Sequence, residues 1–361
     1  MNPPPLPNDW IAPLPAAPRT VGPHNAPPDA LLLHLGEAWY PPAPSVVAEL
    51  SSLSPLLGRY PDSLSVDLST ALAAYAGVHA DQVVVGNGSD GLIDLIVTAY
   101  AGPDRPVVAP APTFFVYGAT AALRRAPLFT AGRRSQAEGF VFDVEPFLAS
   151  LPPNPGVIFL ANPNNPTGGL IPPADLARIA AATSALVVVD ECYFEFAGTT
   201  ALELLSAHAN VLILRSLSKS FALAGLRVGY ALAHPAIVQT LAKVDQVFSV
   251  NLAAQRCALA ALRSLDYYRP LFARTAELRA LWSEALTGLG LRVFPSAANI
   301  LLVDYSALTP ENVAPVLRER GIFVADFHAR PGLQNCFRVA VDEGSALRRF
   351  TEVFSVCFPR K

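Results

Sequence analysis

Lysine is nearly absent from this chain. Of its 26 Lys and Arg residues only Lys219, Lys243 and Lys361 are lysine, so wherever a generic positive charge serves, the sequence uses arginine. Charge of any kind is sparse, at 15% of residues with a net of -3, and no basic block occurs. That removes the electrostatic footprint expected of a nucleic-acid-binding protein. No apolar run approaches the ~18 residues of a membrane span, and the start MNPPPLPNDW lacks the basic-then-apolar layout of a signal peptide. Neither nucleic acid nor a membrane is therefore expected as a partner, and a cytoplasmic location is the expectation. Cys192, Cys257, Cys336 and Cys357 are scattered, with no C-x-x-C pair and no histidine at ligand spacing. No metal is expected, and reduced, mostly buried thiols are the simplest account.

Hydrophobic residues, by contrast, make up 52% of the 361 positions, enough for a large core and about two domains. Residues 1–44 are rich in Pro and Gly and read as an extended arm packing with a small domain. Residues 45–248 alternate apolar strand runs with helical stretches: QVVVG (82–86), PVVAPAP (106–112), VIFLANP (157–163), ALVVVDE (185–191), VLILRS (211–216) and VGYALA (228–233). Continuous Val/Ile/Leu strands of this kind predict an α/β fold, a three-layer αβα arrangement around a mostly parallel sheet covered on both faces. Residues 249–361 read as a smaller α+β domain, with long helices before short strands at NILLVDY (299–305) and CFRVAV (336–341).

Ligands of such sheets bind beyond the carboxyl ends of the strands. VVVGNGSDG sets Gly86, Gly88 and Gly91 between a strand and a helix, in dinucleotide-loop spacing. A ribose-binding acid is expected about 20 residues on, and the next strand ends in APAPTFF, without one. An anion site at a helix N-terminus, with Ser89 beside it, remains. LVVVDECYF puts Asp190 after a buried strand, where a carboxylate is costly unless paired, and FLANPNNPTGG holds Asn165 in a tight turn. Taken with Lys219 in SLSKSFALAGLRVGY, these residues suggest one chemistry. A lysine amine forms a Schiff base with an aldehyde cofactor, a carboxylate keeps its pyridine nitrogen protonated, and a helix N-terminus with an arginine holds its phosphate. The cofactor of that description is pyridoxal 5'-phosphate.

N-P-N-N-P-T-G, D-E-x-Y and S-x-S-K-x-F-x-L-A-G-L-R-x-G-Y stand in one order along the chain. In this the sequence resembles the fold-type I, class I/II pyridoxal-phosphate aminotransferases, and among them the histidinol-phosphate aminotransferases. The resemblance implies that Lys219 carries the cofactor and shuttles the proton at Cα, while Asp190 pairs with the pyridinium. It implies that Tyr193 and Asn165 bond the cofactor's phenolic oxygen and that Phe114 stacks on the ring. The phosphate cup would comprise Gly88, Ser89, Asp90, Ser216, Ser218 and Arg227, with the Asp90 N–H binding while its carboxylate caps the helix. Arg338 would grip the substrate carboxylate or its equivalent. GRYPD (58–62) implies a homodimer in which Tyr60 reaches the partner's cofactor phosphate.

The chain departs from the pattern in one consequential place. The resembled enzymes have an arginine in a V-R-D stretch that helps hold substrate phosphate, and this chain reads Val324-Ala325-Asp326. The lost contact is worth about 1.5–3 kcal/mol. Arg330 or His328 are the nearby substitutes, and Trp39, Tyr40 and Phe327 are candidates to line a pocket for an unphosphorylated aromatic or apolar substrate. The expected reaction is transamination of histidinol phosphate with 2-oxoglutarate. The alternatives are another amino-acid aminotransferase, a threonine-phosphate decarboxylase-like enzyme, or a non-catalytic cofactor-sensing regulator, for whose DNA-binding helices the 44-residue arm is too short.

Overall fold

A computed structural model describes residues 7–16, 20–131 and 136–359. The first strand, β1 (Leu31–Leu32), already belongs to the C-terminal part of the chain: it pairs in parallel with β11 (Ile322–Phe323). The arm's tip is not one extended segment, because residues 9–14 turn and Pro23–Asn25 form a short 3-10 helix.

Seven strands then build the central sheet: β2 (Val83–Asn87), β3 (Val107–Val108), β4 (Leu128–Phe129), β5 (Val157–Ala161), β6 (Leu186–Asp190), β7 (Val211–Ser216) and β8 (Val228–Ala233). Their order is β2-β8-β7-β6-β5-β3-β4, parallel except for β8, which runs against both its neighbours. The carboxyl ends of β2, β5, β6 and β7 consequently lie along the same edge. PVVAPAP yields only the two residues of β3, because Pro110 and Pro112 have no N–H to give a ladder.

The apolar runs are continuous because both faces are buried. In β5, Ile158 and Leu160 enter one core while Val157, Phe159 and Ala161 enter the other. β6 splits in the same way, with Val187 and Val189 on one side and Leu186 and Val188 on the other. Each fully buried Val, Leu, Ile or Phe among them contributes about 1.5–3 kcal/mol, and helices cover both faces to complete three layers.

The smaller unit is an antiparallel sheet of β9 (Arg292–Val293), β10 (Ile300–Asp304), β12 (Ala325–Asp326) and β13 (Cys336–Ala340), while β11 (Ile322–Phe323) stands apart with β1. Its core gathers Trp282, Phe337 and Phe350 with Leu33 from the arm. Helix Leu252–Leu262 packs into the large core through Ala254, Cys257 and Ala258. The 24-residue helix Leu265–Gly288 has Tyr268 in the large core and Leu278, Trp282 and Leu286 in the small one. That helix therefore contributes to both cores.

Candidate active site

One cleft of about 1450 Å³ opens along the strand ends, between the sheet, the arm and the small unit. Asp190 is the last residue of β6 and Ser216 the last of β7; Asn165 follows β5, and helix Gly88–Tyr100 begins where β2 stops. Topology thus delivers side chains from distant motifs to one edge.

Lys219 is half-buried here, and its Nζ donates to the Leu35 carbonyl at 2.9 Å. Burial first, and the Arg338 charge second, lower its pKa to about 8. A far larger share of the amine than in an ordinary lysine is thus neutral near physiological pH, as a nucleophile or proton carrier requires. Asp190 is buried across the cleft, where its Oδ2 accepts from the Tyr117 hydroxyl at 2.6 Å and its Oδ1 from the Cys192 backbone N–H at 3.1 Å. Burial still raises its pKa above the usual carboxylate range. Tyr193 also lines the cleft, its phenol pushed up to about 12 by burial.

At the far end Ser89, Asp90, Ser216, Ser218 and Arg227 line a cup. The Ser218 N–H donates to Ser216 Oγ at 3.1 Å, and Arg227 Nη1 donates to Ser218 Oγ at 3.4 Å. Two glycines make the cup possible. A Cβ on Gly229 would stand 2.4 Å from both Gly88 C and Ser89 N, and one on Gly88 would stand 2.6 Å from Arg227 Nη2. Gly88 also has φ +74°, a left-handed value that a side chain disfavours.

Asp90 corrects one expectation. Its carboxylate does not cap the helix but pairs with Arg227 Nη2 at 2.9 Å. Tyr40 corrects another. It is 5% exposed, packs on Trp39 and Tyr268, and donates to the Ser220 carbonyl at 2.6 Å, so it supports the Lys219 loop from behind instead of lining the cleft. Trp39 is likewise engaged, donating to Thr275 Oγ1 at 3.0 Å. His328 stacks on Tyr305 and shares a 2.7 Å hydrogen bond with its hydroxyl, off the cleft lining.

Phe114, Phe327, Arg330 and Arg338 do line it. Arg338 Nη1 donates to Asn165 Oδ1 at 2.5 Å and Nη2 donates to the His34 carbonyl. Tyr60 does not line this chain's cleft; it is 82% exposed and stacks on Phe248 with centroids 4.6 Å apart. Tyr117 and His34 are the residues missed by sequence reasoning. No motif marks either, since each matters through a partner far along the chain.

The donor set fits pyridoxal phosphate. A buried carboxylate with no cation among its hydrogen-bond partners in the described residues suits a protonated ring nitrogen, a partly neutral lysine suits an aldehyde, and hydroxyls with Arg227 at a helix start suit a phosphate. The chain matches the family Aminotransferase class I and II over residues 28–351. It is 37% identical over 317 residues to the histidinol-phosphate aminotransferase of Methanothermobacter thermautotrophicus, covering 86% of this chain and 84% of the relative. With that of Rhodospirillum centenum it shares 34% over 349 residues, or 93% and 94%. Among solved structures, histidinol-phosphate aminotransferase from Sinorhizobium meliloti in complex with pyridoxal-5'-phosphate superposes with a TM-score of 0.85 at 27% identity, covering 97% and 98%.

Proposed function

The chain belongs to the class I and II aminotransferases, and on that premise we propose that it moves the amino group of L-histidinol phosphate to 2-oxoglutarate. It is a pyridoxal-phosphate transaminase. When bound, the cofactor supplies an electron-poor ring that delocalises the charge left at the substrate Cα.

The residues divide the remaining work. Asp190 holds the proton of the ring nitrogen, and Tyr117 supports it by donating to Oδ2. Tyr193 and the Nδ2 of Asn165, whose Oδ1 is already taken by Arg338, donate to the ring's phenolic oxygen. Phe114 covers one ring face. The backbone N–H groups of Gly88, Ser89 and Asp90, with Ser216, Ser218 and Arg227, hold the phosphate. Lys219 would take the Cα proton of the substrate, which its lowered pKa permits. Arg338 binds the anionic end of the substrate and so fixes which bond at Cα faces Lys219.

The observation that carries this reading is that Lys219, Asp190 and Arg338 line one cleft. A homodimer in the cytoplasm completes it. Leu57, Tyr60, Leu64 and Val247 are each more than 70% exposed, an apolar surface that supports contact with a second copy. The test is a half-reaction panel on purified enzyme with histidinol phosphate, glutamate, phenylalanine and threonine phosphate. Histidinol phosphate and glutamate are expected to convert the cofactor to its amine form. Preference for phenylalanine would retire the substrate, and carbon dioxide released from threonine phosphate would make the enzyme a decarboxylase.

A further inference from the structure

We propose that Arg330 and His34 complete, with Arg338, a receptor for a phosphoryl group, and that this receptor makes the enzyme favour phosphorylated donors over amino acids. The proposal rests on the substrate reading above and assigns that preference to residues.

Three observations converge. Arg338 and Arg330 line the same cleft. Among the described residues neither pairs with a carboxylate: Arg338 reaches Asn165 and a backbone carbonyl, and Arg330 lies over the Phe327 ring at 5.5 Å. Arg338 Nε is buried without a partner. The two charges act on one another, since Arg338 is lowered from the usual arginine range by burial first and by Arg330 as well. Second, His34 Nε2 lies 3.0 Å from the Val21 carbonyl, which only accepts, so the ring proton sits on Nε2. Nδ1 is left as a bare acceptor, buried and unpartnered. Burial lowers the His34 pKa and outweighs the Val21 carbonyl and the Glu37 charge, which raise it, while Arg338 and Arg318 add to the lowering, so the ring is neutral. Third, the residue directly across from Arg338 in the β12–β13 register is Ala325, which brings no charge.

Asp326 on the cleft wall is engaged, accepting from the Asn312 side chain and the His328 N–H, while the Glu37 charge acts on His34 and Lys219. An α-carboxylate offsets one guanidinium and has no proton to offer at neutral pH. A phosphate monoester carries about -1.5 to -2 and has a second pKa of about 6. It offsets both guanidiniums, and its remaining proton is shared between a phosphoryl oxygen and His34 Nδ1, with no covalent bond made or broken.

The test uses holoenzyme, with inorganic phosphate as the calorimetric probe and the two half-reactions beside it. Arg330→Gln is expected to raise the phosphate Kd about tenfold, the loss of one charge-assisted contact. It should lower kcat/KM for histidinol phosphate by a similar factor, chiefly through KM, and lower that for glutamate by a clearly smaller one. Arg330→Lys should recover part of the loss. His34→Ala should flatten the pH dependence of phosphate binding between about pH 5.5 and 7.5. Ala325→Glu, which sets a carboxylate across from Arg338, is an independent route to the same weakening. Unchanged phosphate affinity in Arg330→Gln, or equal losses for both donors, overturns the proposal. If the unaltered enzyme rejects histidinol phosphate while Arg330→Gln still weakens phosphate, the receptor stands and the substrate reading falls.

Discussion

Tyr117→Phe isolates the support of Asp190 from everything else in the site. The substitution removes one oxygen, while the ring keeps its stacking on Phe159, with centroids 4.4 Å apart at 6°. The lost contact is a 2.6 Å hydrogen bond to a buried carboxylate. Bonds of this kind contribute about 1.5–3 kcal/mol, and losing one raises the Asp190 pKa further. Cofactor binding needs the ionised carboxylate, so affinity is expected to fall about tenfold or more at neutral pH. The loss should shrink as pH rises and the carboxylate ionises again. In cofactor-free protein the sign runs the other way. A carboxyl raised in the folded state adds stability at low pH that is lost as pH rises through the folded value. Absorbance titration with pyridoxal phosphate at several pH values reads the first effect, and thermal unfolding of the cofactor-free form reads the second. Equal affinity and equal pH dependence in the variant and the parent would refute the role given to Tyr117.

Three further outcomes are expected. The rate at which cofactor-free protein takes up pyridoxal phosphate should rise with pH to a plateau with a midpoint near 8, since only the neutral Lys219 amine reacts; a midpoint near the ordinary lysine value would contradict the burial argument. Gly229→Ala should cost about 1–3 kcal/mol and weaken cofactor binding, because the new Cβ meets backbone at 2.4 Å, whereas Gly22→Ala, with nothing within 4 Å, should leave Tm alone. Glu195, its pKa raised to about 7 chiefly by burial, should add stability at low pH that is lost as pH rises through about 7. Glu195→Gln should flatten that slope, measured as Tm between pH 4.5 and 8.

By itself the sequence determined the chemistry. A strand end followed by a tight turn or helix start fixes where the next side chain points, so Asp190, Asn165, Ser216 and Lys219 were legible from local pattern. Arg338 was legible from its family motif. The unbroken apolar runs likewise announced strands buried on both faces. Element lengths were legible except where proline intervened, as at β3. Only the tertiary structure decided which of the remaining polar groups face the cleft. Tyr117 reaches Asp190 across 73 positions, and Arg338 reaches the His34 carbonyl across 304. Tyr40 turned inward to the Ser220 carbonyl, and the Asp90 carboxylate turned to Arg227. The physical reason is common to all four. Periodicity sets a direction relative to a side chain's own strand or helix, but a hydrogen-bond partner from another element exists only once strand order and helix packing have brought the two together.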